Sequence, residues 1–150
     1  MAYFRMSKED YGEYVKAKSP NSKLLPNLLS AFAIGGAICC LGQLILGIYL
    51  YFGLSAELSA TFTSISLVFL GALSTGLGVY DDLAKYGGAG TLVPITGFAN
   101  AVVSPALEFK TEGFVTGTGA KMFVISGPVI VYGISASIVY GLVLAALAAF

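Results

Sequence analysis

The side chains best equipped to handle a ligand crowd into one stretch of the chain, Gly87 to Lys121, with apolar sequence on both sides. Its first half reads Gly87, Gly88, Ala89, Gly90, Thr91, then Leu92, Pro94, Thr96 and Asn100. Glycines that lead into an apolar helix leave bare N–H groups beside the positive end of the peptide dipole, where an anion is favoured. The second half holds Glu108, Lys110 and Glu112, with Lys121 beyond Gly113, Gly117 and Gly119. These charges can form a vestibule in which Lys110 and Lys121 attract an anion while Glu108 and Glu112 hold position or meet a cation. They equally suit a plain interfacial loop, because a charge at the bilayer centre costs about 2.5 to 3.5 kcal/mol and tends to end a membrane segment. Residue types alone leave both readings open.

Bond-making chemistry finds no comparable footing. Histidine is absent, which removes the commonest general base and the commonest metal ligand together. Cys39 and Cys40 are adjacent in an apolar run and are expected to pack as small buried hydrophobes. No Ser-His-Asp, Cys-His or metal-ligand spacing can be assembled, so no enzyme, cofactor or metal site is expected. A nucleotide loop needs GxxxxGK[ST] after a strand, whereas Lys121 follows GTGA with no Ser or Thr behind it. The pair Asp81-Asp82 falls short of the six to eight oxygens that calcium takes. Eight basic and eight acidic residues cancel, so no net field draws nucleic acid.

The elements that must position the polar stretch are membrane elements. The chain is 57% hydrophobic and 11% charged with mean hydropathy +0.85, where a soluble domain carries roughly 25% charged residues. It reads as an all-α polytopic membrane protein with three to four membrane segments, made of a tail over residues 1–27 and one membrane domain over 28–150. The tail carries Arg5, Lys8, Lys16, Lys18 and Lys23 and is expected in the cytoplasm by the positive-inside bias. Ser7 and Asp10 have capping-box spacing for a short interfacial helix, which Gly12, Pro20 and Pro26 would limit; a loosely ordered solvated tail fits as well. Spans are expected at about 28–54, 60–80 and 122–150, with glycines and serines supplying smooth packing faces and back-bonds to helix carbonyls.

Between them, residues 91–107 are too apolar for a surface loop and too broken by Pro94 and Pro105 for an ordinary span. Irregular backbone survives at membrane depth only where protein buries it or where it lines a wet cavity. Pro94, Pro105 and Gly113 are therefore read as breaks or hinges, and Gly88, Gly90, Thr91, Thr96, Asn100, Lys110 and Lys121 as pore-lining or anion-binding residues. The segment either crosses, giving four spans, or dips and returns, giving three spans and a re-entrant loop with the C-terminus outside. A shared pattern around Phe32 to Gly42 and Phe123 to Gly133 fits either a pair of related halves or the chance likeness of glycine-rich helices.

The strings GGAGTLVPITGFANAVVSPALEFKTEGFVTGTGAKMF and SGPVIVYG resemble the SpoVA membrane proteins of spore-forming bacteria, of the AC and AEb type. The basic tail ahead of NLLSAFAIGGAICCLGQ is more similar to the AC branch than to the shorter AEb sisters. The resemblance implies a subunit of the complex that moves dipicolinic acid with calcium across the spore inner membrane, inward in sporulation and outward on germination. It implies an AEb-type sister membrane subunit and an AD-type soluble subunit as partners, and channel-like behaviour responsive to membrane tension. It brings no binding residues with it. Polar donors at Thr91, Thr96 and Asn100 and the ring of Phe98 suit a planar dicarboxylate. A tension-gated channel of low selectivity and a structural anchor for the complex are the alternatives.

Overall fold

A computed structural model describes residues 7–19 and 22–148. Arg5, Pro20 and the last two residues of the expected final span lie outside the described residues. The described residues form helices and no strands. In the tail, α1 (Lys8–Lys18) starts on the expected capping box, with Ser7 Oγ accepting from the Asp10 amide at 3.1 Å. Gly12 lies inside this helix and does not end it.

The first span, α2 (Leu24–Tyr51), begins earlier than the expected position 28. Pro26 falls in its first turn, where a missing N–H costs nothing because those donors have no helical partner. The chain turns at Gly53 (φ 84°), and Ser55 caps α3 (Ala56–Gly76). This second helix stops short of the expected Tyr80. Gly78 adopts a left-handed conformation (φ 74°), so the residues after it start a separate helix, α4 (Val79–Gly87). Two short pieces follow, α5 (Ala89–Leu92) and α6 (Ile95–Glu108), divided by extended backbone at Pro94. A 3₁₀ turn (Lys110–Glu112) and a π-helical turn (Phe114–Gly119) lead into α7 (Ala120–Ala148). Among the described residues three helices are long and apolar enough to cross a membrane: α2, α3 and α7 with its π-helical lead-in.

Contact register fixes the direction of each piece. Gly42 meets Leu67 and Tyr49 bonds Ser66 at 2.8 Å, so α2 and α3 are antiparallel. Gly71 lies against Thr96 and Ala99, while Thr75, one turn on, reaches Asn100, one turn on from Thr96. Both pairs advance together, which makes α6 parallel to the end of α3. The 14 residues of α6 span only about 21 Å, against a hydrocarbon core of roughly 30 Å. The segment therefore enters beside the start of α2, turns at Pro94 and returns to the same end of the bundle. Lys121 then stacks on Phe109 as α7 starts outward, antiparallel to α6. Of the two topologies the sequence left open, the re-entrant one is observed, and among the described residues from Lys23 onward all charges except Glu57 gather at one end of the bundle.

The packed interior is small and polar. Tyr80 and Ala99 are the only fully buried hydrophobic side chains described, whereas Ser59, Thr63, Thr75, Thr91, Thr96 and Ser126 are all buried. Apolar side chains face outward, as lipid solvent requires. Cys39 and Cys40 correct one expectation: both are exposed on the outer face of α2, where a small hydrophobe needs no buried site.

Candidate functional site: a cavity behind the re-entrant hairpin

The hairpin made by α4, α5 and α6 is held by close backbone approaches and two buried polar ties. A Cβ on Gly90 would overlap the Ala31 carbonyl of α2, and one on Gly97 would overlap the Thr91 and Leu92 carbonyls across the break. Only glycine lets the two limbs meet each other and α2 at those distances. The first tie is Tyr80, 4% exposed, whose hydroxyl donates to the Thr91 carbonyl at 2.7 Å and lies 3.0 Å from Thr96 Oγ1. A phenol has one proton, so with that proton on Thr91 the Thr96 hydroxyl supplies the second bond. The second tie links Thr75 Oγ1 on α3 to the Asn100 carboxamide at 2.9 Å. At the tip of the hairpin Leu92 and Val93 are 77% and 84% exposed.

Behind this hairpin, between α6 and the first turns of α7, lies a cavity of about 490 Å³. That volume is within the roughly 300–1,000 Å³ of ordinary small-ligand sites. Tyr80, Thr91, Asn100 and Ser104 supply polar atoms along it, Phe98 and Phe109 supply ring faces, and Glu108 and Lys121 stand where α6 and α7 meet at the charged end. Lys121 Nζ rests 4.4 Å from the Phe109 ring centroid, a cation–π contact that holds the ammonium beside the cavity. Prolines contribute acceptors. Pro105 cannot donate to the Ala101 carbonyl, nor Pro128 to that of Val124, and Ala101 and Val124 both line the cavity. A carbonyl deprived of its helical partner needs water, a hydroxyl or a ligand.

The structure distributes the expected site residues unevenly. Thr91, Asn100, Pro105, Glu108 and Lys121 come together at the cavity. Thr96 is buried one layer behind it, bonded to Tyr80. Gly90 packs on α2, and Gly88 (φ 47°) lines a separate groove with Ser22, Asn27 and Lys85. The helix after these glycines has four residues and starts against α2. Pro94 makes the break, and Gly113 (φ 98°) makes the turn between the 3₁₀ and π segments. Lys110 and Glu112 are exposed in that turn, away from the cavity, so the proposed four-charge vestibule reduces to Glu108 and Lys121. Sequence reasoning missed Tyr80 and Ser104. The tyrosine was assigned to the end of a span, although the glycine-rich GLG before it and the paired aspartates after it signal a break and a new amphipathic helix.

Comparison with known proteins gives the chain its lineage. The model of the SpoVAC/SpoVAEB sporulation membrane proteins matches residues 27–143. Stage V sporulation protein AC of Bacillus subtilis (strain 168) is 39% identical over 137 residues, covering 91% of each chain. No solved structure matches. The match covers α3, the whole hairpin and most of α2 and α7, and the chain belongs to the SpoVAC/SpoVAEB family of sporulation membrane proteins.

Proposed function

We propose that this chain is a channel or transporter subunit that moves dipicolinic acid, together with calcium, across the spore inner membrane, inward in sporulation and outward on germination. The observation that carries this reading is the cavity behind the hairpin, which amide, hydroxyl and ammonium groups line together with two aromatic rings. Dipicolinate is a planar ring with two carboxylates. Asn100, Ser104 and Lys121 suit its oxygens, and Phe98 and Phe109 suit its faces. Its one-to-one calcium chelate is neutral, which agrees with a cavity holding one acid and one lysine rather than a ring of charge. The role is passage, not catalysis.

Gathering the lysines at one end supports a cytoplasmic N-terminus by the positive-inside bias, with the C-terminus across the membrane. Beyond the cavity α7 stands exposed on every side, so this chain alone does not enclose a pathway. An AEb-type sister subunit in the membrane and an AD-type soluble subunit at the charged end are the partners that would complete it. Tension gating is a second reading, favoured by a hairpin that reaches only part of the bilayer depth and would feel thinning. A pure anchor has no use for broken backbone. In vesicles holding the assembled complex, Asn100→Leu is expected to cut dipicolinate flux at least tenfold and Lys121→Gln several-fold, with assembly intact by co-purification. Unchanged flux in both variants removes the cavity from the pathway.

A further inference from the structure

We propose that the Tyr80 hydroxyl is the positioning group that holds the two limbs of the hairpin together and so sets how far the cavity opens; this rests on the transport reading above. Tyr80 is the single side chain bonded to both limbs: Thr91 belongs to the entering helix and Thr96 to the returning one, with the Pro94 break between them. No other side-chain hydrogen bond bridges that break among the described residues. The remaining bond across it, from the Gly97 amide to the Pro94 carbonyl, is local to the turn. The hairpin tip offers little further restraint, because Leu92 and Val93 are largely exposed.

The tyrosine is also mounted to move. It lies two residues beyond Gly78, the left-handed joint between α3 and α4, and shares a helix with Asp81, Asp82 and Lys85, all exposed at the charged end. Its ring and Ala84 form part of the cavity wall. A displacement of α4 about Gly78 withdraws the hydroxyl from Thr91 and Thr96 together, frees the limbs and widens the cavity toward the far half of the bilayer. A push on the exposed charged face of α4, from a partner or from the bilayer surface, reaches the cavity through one hydroxyl.

Tyr80→Phe keeps the ring and removes the tie, and Thr96→Val removes half of it. In the reconstituted complex, Tyr80→Phe is expected to raise resting dipicolinate leak per assembled complex roughly three- to twentyfold, the span corresponding to hydrogen bonds measured within membranes. Thr96→Val should raise it less, and the double variant no further than Tyr80→Phe alone. Hydrogen exchange of residues 91–97 should quicken in the same order. Faster exchange with unchanged leak per complex overturns the proposal, since the tie would then be structural only, and so does unchanged exchange. If the unaltered complex passes no dipicolinate, the transport reading falls by itself, while exchange at residues 91–97 still decides whether the hydroxyl holds the limbs.

Discussion

The paired spans α2 and α3 and the hairpin α4–α6 solve the same problem, satisfying backbone in lipid, in opposite ways. In α2 and α3 every interior amide is paired within its own helix, and most hydroxyls of α3 bond back to that helix, as Thr63 does to Ser59 at 2.7 Å. Such helices need little from their neighbours. The hairpin opens its own ladder at Gly88, at Pro94 and at Pro105, and has to be held by side-chain ties between its pieces and to α3, those of Tyr80 and Thr75 among them. Broken backbone thus brings polar groups to the depth of a cavity, at the cost of dependence on a few close contacts.

Five substitutions break or sharpen that contrast, beginning with the largest effect. Gly97→Val should destabilise the hairpin by about 3 kcal/mol or more, because the added carbons overlap two carbonyls, whereas Gly133→Val on open α7 should leave the thermal midpoint in detergent unchanged. Equal midpoints for the two would erase the distinction. Leu92→Lys, at the exposed tip, should reduce inserted protein by the equivalent of about 2.5 to 3.5 kcal/mol if the tip meets lipid. A wet or protein-covered tip would tolerate it, as an insertion assay would show. Thr75→Val, which removes the bond to Asn100, should lower the melting free energy by about 0.6 to 1.7 kcal/mol.

The smallest effect belongs to the surface pair on α4. Lys85, 2.7 Å away, holds the Asp82 carboxyl below its usual range, first through the hydrogen bond and then through its charge. A depressed carboxyl stabilises the fold above its unfolded pKa, and that contribution is lost as pH falls through the folded value. Since both groups are fully exposed, melting in detergent should be the same for Asp82→Asn and the unaltered chain from pH 7 to about pH 4. A shift would mean that α4 is docked more tightly than its exposure indicates.

Apolar runs with a 1.5 Å rise per residue made α2, α3 and α7 readable from sequence, and the two prolines marked where the ladder must open. Ser7 and Asp10 announced their helix because a capping box is a local interaction. What could not be read was pairing across the chain. Nothing in the spacing of Thr75 and Asn100, or of Tyr80 and Thr96, says that they meet, and those meetings decide that α6 returns instead of crossing. The glycines before Thr91 misled for the same reason. Gly87 and Gly90 leave room for Ile34 and Ala31 of α2, which only the positions of those residues reveal.

The direction of α6 is tested most directly by single cysteines at Asp81, Lys110 and Leu147 in a variant lacking Cys39 and Cys40. Each is labelled with an impermeant maleimide in vesicles of defined orientation. A re-entrant hairpin requires Asp81→Cys and Lys110→Cys to react from one face and Leu147→Cys from the other. Reaction of Lys110→Cys from the face opposite Asp81→Cys would make the segment a fourth span and contradict the account.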